Sequence, residues 1–296
     1  MVKPKEKIAK GIFIGCGIIA VISVIAITLY MVIKGMPAIG EVGIKELLFS
    51  TVWEPTAAEP SYGIAFIIIS SIFGTFGAVI IGVPIGVLTA VFLTKIANKK
   101  IALVLSQAVE LLAAIPSVIY GLLGLMLLNP LLFKLERIIF ADSPTHQFTG
   151  GANMIAAVIV LAIMILPTVI NISASAIRSV PSQLEAASLA LGATKLQTIF
   201  KVVLPAAKSG IMTGIVLGIG RALGEAMAIN MVAGGAVNFP LPFNSVRFLT
   251  TQLVSEMSYS QGTHRKVLFT VGLVLYLFIM VINLLLARLR KKGETN

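Results

Sequence analysis

The sequence predicts an all-α integral membrane protein with six transmembrane helices. Of its 296 residues, 57% are hydrophobic and only 12% are charged, and the mean hydropathy is +1.01. These values exclude a soluble globular surface and a disordered chain, which needs low hydrophobicity and many charges. The alternating pattern of β-barrel strands is not visible, whereas helices satisfy their backbone groups within each segment.

Six apolar runs are long enough to cross a hydrocarbon core of about 30 Å, which needs roughly 20 helical residues. They are residues 11–33, 64–93, 101–128, 154–177, 211–233 and 267–287. Only Glu110, Arg221 and Glu225 interrupt them with a charge. We therefore predict a first helix over 11–33, an extracytoplasmic loop over 34–63, and a core of five helices over 64–288.

Basic residues are distributed unevenly between the two sides of this topology. One side carries 15 Lys and Arg residues and the other carries 7. Because basic loops remain in the cytoplasm, the tails 1–10 and 289–296 are both predicted to be cytoplasmic. The basic start and long first run indicate an uncleaved anchor and not a signal peptide. The net charge of +11 is then a topology signal, and nucleic-acid binding is not expected.

Metal and disulfide chemistry have no support in the sequence. Cys16 is the only cysteine, and His146 and His264 lie far apart in predicted outer loops. No cluster of cysteine, histidine or carboxylate residues has the spacing of metal ligands. We expect no metal site.

Two predicted outer loops are long enough to have structure of their own. Residues 35–63 contain the only tryptophan, Trp53, and are expected to form a cap at the membrane interface, where aromatic residues are enriched. Residues 129–151 are expected to form a loop with a short helix.

The predicted cytoplasmic loop 179–208 contains clear helix signals. Ser182 and Glu185 have the spacing of a capping box, in which each side chain bonds the backbone N–H of the other. Gly192 can close this helix, residues 194–197 offer a second capping box, and Pro205 stops further propagation. The pattern predicts a helix, a glycine corner and a second helix. A helix resting on the membrane surface is the alternative interpretation.

The same loop resembles the EAA loop of ABC importer permeases, written E-A-A-x3-G-x9-I-x-L-P. It departs from that pattern in two places: Gly192 follows Glu185 by seven residues, one more than the pattern has, and Val202 stands in place of isoleucine. The resemblance implies a type I permease fold in which this loop is a coupling helix that inserts into a cytoplasmic ATPase. The coupling residues that it implies are Glu185, Ala186, Ala187, Gly192, Leu204 and Pro205.

Further stretches are similar to the same family. Residues 84–93 match P-x-G-x3-A-x2-L, and residues 110–121 and 220–228 look like signatures of phosphate permeases of the PstC type. The resemblance implies a subunit of an ATP-driven phosphate importer in the cell membrane. Its implied partners are a homologous PstA-type permease, a PstB-type ATPase and an extracytoplasmic PstS-type phosphate-binding protein. The chain has no Gly-Lys dipeptide and therefore no Walker A loop, so ATP is expected on the ATPase and neither a cofactor nor catalysis is expected here.

Ionisable groups at membrane depth are costly and are candidates for function. A rise of 1.5 Å per residue places Glu110 about 14 Å and Arg221 about 18 Å from the cytoplasmic side. Arg221 and Glu225 have the i,i+4 spacing that allows contact on one helix face. One interpretation is a structural ion-pair cluster of these three groups. The other is a phosphate path formed by Arg221, Glu225, Glu110, Ser117 and Thr75, in which the guanidinium binds an oxyanion.

Glycines at 210, 214 and 218 predict close helix packing on one face of the fifth helix. Other functions remain open. Within the family these are a permease for sulfate or molybdate and the PstA-type partner. Outside it, a gradient-driven transporter would use Glu110 and Glu225 as proton-coupling groups.

Overall fold

We describe residues 4–294 in a computed structural model of the chain, which is predominantly α-helical. Residues 1–3 and 295–296, at the ends of the two predicted tails, lie outside the described residues. The helices are α1 (Pro4–Val42), α2 (Ile44–Phe49), α3 (Ala65–Val91), α4 (Lys99–Ala114), α5 (Ser117–Leu123), α6 (Asn129–Ile139), α7 (Met154–Arg178), α8 (Ser182–Ala190), α9 (Lys195–Thr198), α10 (Leu204–Ala206), α11 (Lys208–Gly224), α12 (Met227–Val232), α13 (Leu249–Glu256) and α14 (Gly262–Glu294). π-Helical turns occupy Phe92–Ile96, Gly124–Leu128 and Ile199–Val203, and strands β1 (Trp53–Glu54) and β2 (Ser61–Tyr62) form an antiparallel hairpin.

Five helical stretches in the described part of the chain are long and apolar enough to cross a membrane. They are Ala9–Val42, Ala65–Ile96, Ser117–Ile139, Met154–Arg178 and Gly262–Leu285. The pair Lys195–Ala206 and Lys208–Gly224, bent by 70°, adds a sixth if it is taken as one span. Four predicted runs, 11–33, 64–93, 154–177 and 267–287, overlap such stretches, although the first stretch continues to Val42 and the last begins at Gly262. The other two are corrected below.

The third predicted helix, 101–128, is broken in the middle. Ile115 adopts an extended conformation (φ −67°, ψ 126°) and Pro116 follows it. Proline lacks an N–H and disfavours helical geometry in the preceding residue, so α4 ends before the pair. The apolar stretch that can span begins after the break and covers Ser117–Ile139. It includes α6, the short helix predicted within 129–151.

The fifth predicted helix, 211–233, is also interrupted. α11 ends at Gly224, and Glu225 takes an extended conformation (φ −74°, ψ 127°) before α12 begins. The Glu225 carboxylate accepts a hydrogen bond from the backbone N–H of Ala228 (3.0 Å), which caps the first turn of α12. Arg221 and Glu225 therefore do not share a continuous helix face.

α7 is the central helix and packs between α3 and α11. Glycines allow these backbones to come close. A Cβ on Gly210 would lie 2.4 Å from the Cβ of Ala176, and Gly214 and Gly218 also face α7 within van der Waals distance. Gly82 plays the same part on α3. The prediction that the glycine ladder is a packing surface is confirmed.

α1 stands outside this core and packs along α14. None of its most apolar 18-residue window is buried within the chain. The two helices touch where the Thr270 hydroxyl donates a hydrogen bond to the carbonyl of Gly35 (2.7 Å). Most of the apolar surface of α1 is therefore available to lipid or to another subunit.

Residues 35–63, predicted as a cap around Trp53, form the end of α1, α2 and the hairpin. They pack on α3, α13 and α14 through a buried cluster that includes Ile64, Leu249 and Val267. The rings of Trp53 and Tyr62 meet edge to face at 5.8 Å. The hairpin is thereby fixed to the core helices.

Candidate functional site

The loop 179–208 folds as predicted, with a helix, a glycine corner and a second helix. Gly192 follows α8 in the left-handed region (φ +84°), which L side chains rarely adopt. The predicted capping box at 194–197 is present at the start of α9. The helical path then bends by 70° after Ala206, one residue beyond Pro205.

The first predicted capping box is not formed. The N-cap position of α8 is Pro181, and no side chain caps this helix. The Glu185 carboxylate instead forms a salt bridge with the ammonium of Lys95, in the π-helical turn that extends α3. The Ser182–Glu185 prediction is wrong because a full positive charge is a stronger partner for a carboxylate than a backbone N–H. The bridge joins the loop to α3.

The Lys95–Glu185 pair is shielded from solvent. The side chain of Lys95 is 16% exposed and that of Glu185 is 27% exposed. A second polar contact holds the loop together, since the hydroxyls of Ser188 and Thr198 lie 2.9 Å apart and connect α8 to α9. The loop is therefore an ordered unit with a defined connection to a membrane helix.

The free surface of α8 is apolar. No residue of this helix is buried, and Ala186 and Ala187 are both exposed. Leu189 exposes 48% of its surface, and Leu191 exposes 89%. Such a patch is typical of a surface that binds another protein.

Leu204 and Pro205 have different environments. Leu204 is partly buried and packs against the cluster that contains Ile177 and Val180, where α7 ends. Pro205 is exposed at the bend. The structure therefore places Leu204 in the connection between the loop and the membrane core, and not on the free face of α8.

The two helix breaks lie side by side. α5 packs on α12, and a Cβ on Gly121 would come within 2.9 Å of the Cα of Ala228. One turn later, a Cβ on Gly124 would lie 2.6 Å from the Cγ1 of Val232. Because the contacts advance in the same direction along α5 and α12, the two helices run parallel. The breaks that precede α5 and α12 are therefore neighbours. Paired discontinuous helices of this kind form binding sites in many transporters.

Hydrogen bonds stabilise both breaks. The Tyr120 hydroxyl donates to the carbonyl of Leu112 (2.7 Å), which connects α5 to the end of α4. The Thr250 hydroxyl donates to the carbonyl of Glu225 (2.7 Å), which connects the second break to α13. The breaks are thus built features of the fold, with backbone groups satisfied from outside the helix.

The predicted ion-pair cluster is wrong. Among residues 4–294, no ion pair joins Arg221 to Glu225 or Glu110. Glu110 is exposed on α4, and the Glu225 carboxylate caps α12. Arg221 is partly buried in the last turn of α11, four residues before the break at Glu225. The guanidinium therefore stands beside the breaks without a carboxylate partner.

Ser117 and Thr75 lie on different helices. Ser117 is the first residue of α5, so it lies directly after the break at Ile115 and Pro116. Its side chain is partly buried. Thr75 is buried in α3, 7% exposed, and in the described part of the chain no hydrogen bond connects it to Ser117 or Arg221. Ser117 and Glu225 each lie at one of the two neighbouring breaks, Arg221 lies one turn before the second break, and Glu110 and Thr75 lie on α4 and α3.

Glu256, buried in α13, forms a polar cluster that sequence reasoning missed. Its carboxylate accepts hydrogen bonds from Arg247 (2.6 Å) and from the Trp53 indole (3.1 Å), and it lies 2.8 Å from His264. The cluster forms one wall of a cavity of about 590 Å³. Burial raises the pKa of the adjacent Tyr62 phenol above its ordinary value.

A second buried carboxylate is arranged similarly. Glu136 is fully buried and lies 2.9 Å from the His146 imidazole, which stacks on Phe140. The predicted topology places Glu136, His146, Glu256 and His264 in outer segments, where charges exposed to solvent ordinarily need no partner. Only the pairing of each histidine with a glutamate eight or ten residues away could have indicated the contacts.

Comparison with known proteins supports a transport role. Residues 82–292 match the family described as binding-protein-dependent transport system inner membrane component. A probable ABC transporter permease protein, YqgH of Bacillus subtilis, is 39% identical over 92% of this chain and 88% of its own length. The phosphate transport system permease protein PstC of Pasteurella multocida is 36% identical over 81% of this chain and 79% of its own. PstC of Xylella fastidiosa is 32% identical over 92% and 88%.

Solved structures share the fold. A chain of a bacterial alginate ABC transporter superimposes with a TM-score of 0.66 at 16% identity, covering 97% of this chain and 96% of that one. A chain of the inward-facing MetNI methionine ABC transporter gives 0.53 at 23% identity, covering 78% and 94%. At such identities the likeness concerns the fold alone. The match over residues 82–292 shows that this chain belongs to the family of inner membrane components of binding-protein-dependent transport systems.

Proposed function

We propose that this chain is the PstC-type permease subunit of an ATP-driven phosphate importer. The observation that carries the proposal is the similarity to proteins named PstC, 36% and 32% identical over 81% and 92% of the chain. In this function the chain is non-catalytic and forms half of a translocation path. A homologous PstA-type permease forms the other half, a PstB-type ATPase binds on the cytoplasmic side, and a PstS-type receptor delivers phosphate.

The paired breaks form the phosphate path in this proposal. Arg221 supplies a permanent positive charge and a planar set of donors that matches a phosphate oxyanion. Its lack of a carboxylate partner among the described residues supports this role, because an unpaired charge at membrane depth is costly unless it serves a ligand. Ser117 adds a hydroxyl at the neighbouring break. Glu225 shapes the path by holding α12 in place, and Glu110 and Thr75 line more distant parts of it.

The loop 179–208 transmits ATPase closure to the membrane in this proposal. Its exposed Ala186 and Ala187 allow a close approach of the ATPase surface, and the apolar side chains around them supply contact area. Gly192 permits the corner between α8 and α9. Glu185 holds the loop to α3 through Lys95, and Leu204 and Pro205 carry movement into the bend before α11. Both termini are then cytoplasmic, and the bent pair completes six spans.

The substrate role of Arg221 is tested in the assembled importer in proteoliposomes. Arg221→Gln should lower ATP-dependent uptake of radiolabelled phosphate by at least tenfold, and Arg221→Lys should restore part of it. Arg178→Gln, which removes an exposed arginine at the end of α7, is the matched control and should leave uptake within twofold. Uptake by Arg221→Gln at the wild-type rate, with all subunits present, would exclude the role. Stronger competition by sulfate or molybdate than by phosphate would exclude the substrate.

The docking role is tested with a bulky residue on α8. Ala187→Trp should release the ATPase during purification or uncouple its hydrolysis from transport. Ala141→Trp, at an exposed alanine on the predicted outer side, is the control and should preserve both. An Ala187→Trp complex with full, coupled activity contradicts the docking role. Uptake that persists without any ATPase and collapses with a protonophore would identify a gradient-driven transporter.

A further inference from the structure

Three basic side chains gather in one pocket between α1 and α14. The cavity measures about 430 Å³, and its lining includes Tyr30, Ile33, Lys34, Arg265, Lys266 and Phe269. Lys34, Arg265 and Lys266 are three of the seven basic residues that the predicted topology places outside. Outer segments are ordinarily poor in lysine and arginine, so this concentration requires a physical reason.

Carboxylates within the chain balance only part of this charge. Lys266 forms a salt bridge with Glu41 of α1, and Thr263 donates a hydrogen bond to the same carboxylate (2.8 Å). The described residues offer no carboxylate to Lys34 or Arg265. Glu41 is the acidic group that faces the cluster, and the pocket therefore carries a net positive charge of about two.

Aromatic and apolar walls surround the cations. The Lys34 ammonium lies 5.9 Å from the centroid of the Tyr30 ring, and that ring meets Phe269 edge to face at 5.7 Å. Ile33 continues the apolar wall toward the middle of α1. A ligand here would meet positive charge at one end and hydrocarbon at the other.

The pocket lies at the depth of lipid headgroups. From residue 11, where the first apolar run begins, to Lys34 the helix rises about 34 Å, slightly more than the roughly 30 Å hydrocarbon core. On α14, Arg265 and Lys266 immediately precede the apolar run 267–287. Both helices thus present their basic residues at the same interface, on the side opposite to loop 179–208.

We propose that this pocket binds a phosphate-bearing anion at the outer membrane interface. Lys34 and Arg265 contact the phosphate oxygens, Lys266 stays paired with Glu41 at the rim, and the Tyr30 and Phe269 rings contact the apolar part of the ligand. The phosphodiester of an anionic phospholipid satisfies both the charged and the apolar surfaces. Inorganic phosphate satisfies the charged surface alone. The site is separate from Arg221 and does not depend on the proposed transport function.

The test measures binding of each anion to the purified, delipidated full chain. Native mass spectrometry counts bound phosphatidylglycerol against phosphatidylcholine, and equilibrium dialysis measures radiolabelled inorganic phosphate. The double variant Lys34→Gln/Arg265→Gln removes the two unpaired cations. Each basic group contributes about fivefold to attraction of an anionic phosphate at a membrane surface, so the variant should bind about 30-fold more weakly. Lys134→Gln/Arg137→Gln, exposed on α6 and with the same loss of charge, is the control and should bind as the wild type does.

Each outcome decides the proposal. Selective retention of phosphatidylglycerol that the Lys34/Arg265 variant loses identifies a lipid site. Binding of inorganic phosphate that the same variant loses, and that Arg221→Gln retains, identifies a free-phosphate site. Binding of neither anion, or equal loss in both double variants, overturns the proposal. Thermal unfolding of each variant checks folding, and weaker wild-type binding at high salt is a second measurement that needs no variant.

Discussion

Removing the salt bridge between Lys95 and Glu185 tests whether Glu185 bonds Lys95, as in the structure, or caps α8 with Ser182, as the sequence pattern predicts. We consider Lys95→Met, which removes the charge and preserves most of the apolar side-chain length. The bridge is partly buried, with 16% and 27% exposure of the two side chains. Exposed pairs contribute about 0.2–1 kcal/mol, and hydrogen bonds to charged groups contribute about 1.5–3 kcal/mol. A partly screened bridge should therefore contribute about 1 kcal/mol, which is about fivefold in an equilibrium constant.

Hydrogen–deuterium exchange of α8 measures this effect directly. If the bridge holds α8 against the end of α3, Lys95→Met should make local opening about five times more frequent, and the α8 amides should exchange about five times faster. Glu185→Gln should have a similar effect. The double variant should be little worse than either single change, because both remove the same contact. Lys99→Met, at an exposed lysine four residues later, is the control and should leave α8 exchange unchanged.

The opposite result would favour the capping box. If Glu185 capped α8 together with Ser182, then Ser182→Ala would accelerate exchange at the first turn and Lys95→Met would not. Additive effects of Lys95→Met and Glu185→Gln would likewise refute a direct contact, since independent changes add in free energy.

Two further predictions concern packing and the buried outer carboxylate. Gly210→Ala places a methyl group 2.4 Å from the Cβ of Ala176 and should destabilise the protein by about 1–3 kcal/mol, whereas Gly220→Ala meets nothing within 4 Å. Thermal unfolding in detergent compares them, and equal melting temperatures would contradict the close α7–α11 packing. Glu256→Gln leaves Arg247 without its carboxylate and should lower the free energy of unfolding by about 3 kcal/mol. It should also shift the fluorescence of Trp53, the only tryptophan. An unchanged emission spectrum would refute the indole contact.

The sequence was a good guide to local structure. The apolar runs at 11–33, 64–93, 154–177 and 267–287 predict helices that the structure contains, because the length of an apolar run limits how it can cross a bilayer. The corner at Gly192 and the cap at 194–197 follow from backbone preferences of single residues. Such features depend on residues that are close together in the sequence, so the sequence alone predicts them.

Hydrophobicity alone could not locate the helix breaks. Pro116 gave a signal for the first break, yet apolarity on both sides of it suggested one continuous helix. The break at Glu225 carries no proline, and it depends on a carboxylate that caps α12 and on a hydroxyl from Thr250, 25 residues away. A hydropathy pattern shows whether a segment is apolar. It does not show whether helical backbone hydrogen bonds are replaced by hydrogen bonds from side chains elsewhere in the fold.

By itself, the sequence determined the class of the protein, its main helices, the form of loop 179–208 and the family resemblance. The tertiary structure decided the partners of the charges. Glu185 forms a salt bridge with Lys95, 90 residues away in the sequence. Glu256 accepts a hydrogen bond from the Trp53 indole, 203 residues away. Arg221 has no carboxylate partner among the described residues. The physical reason is range: helix signals act over one or two turns, whereas a buried charge is stabilised by whichever group the fold brings within a few ångströms.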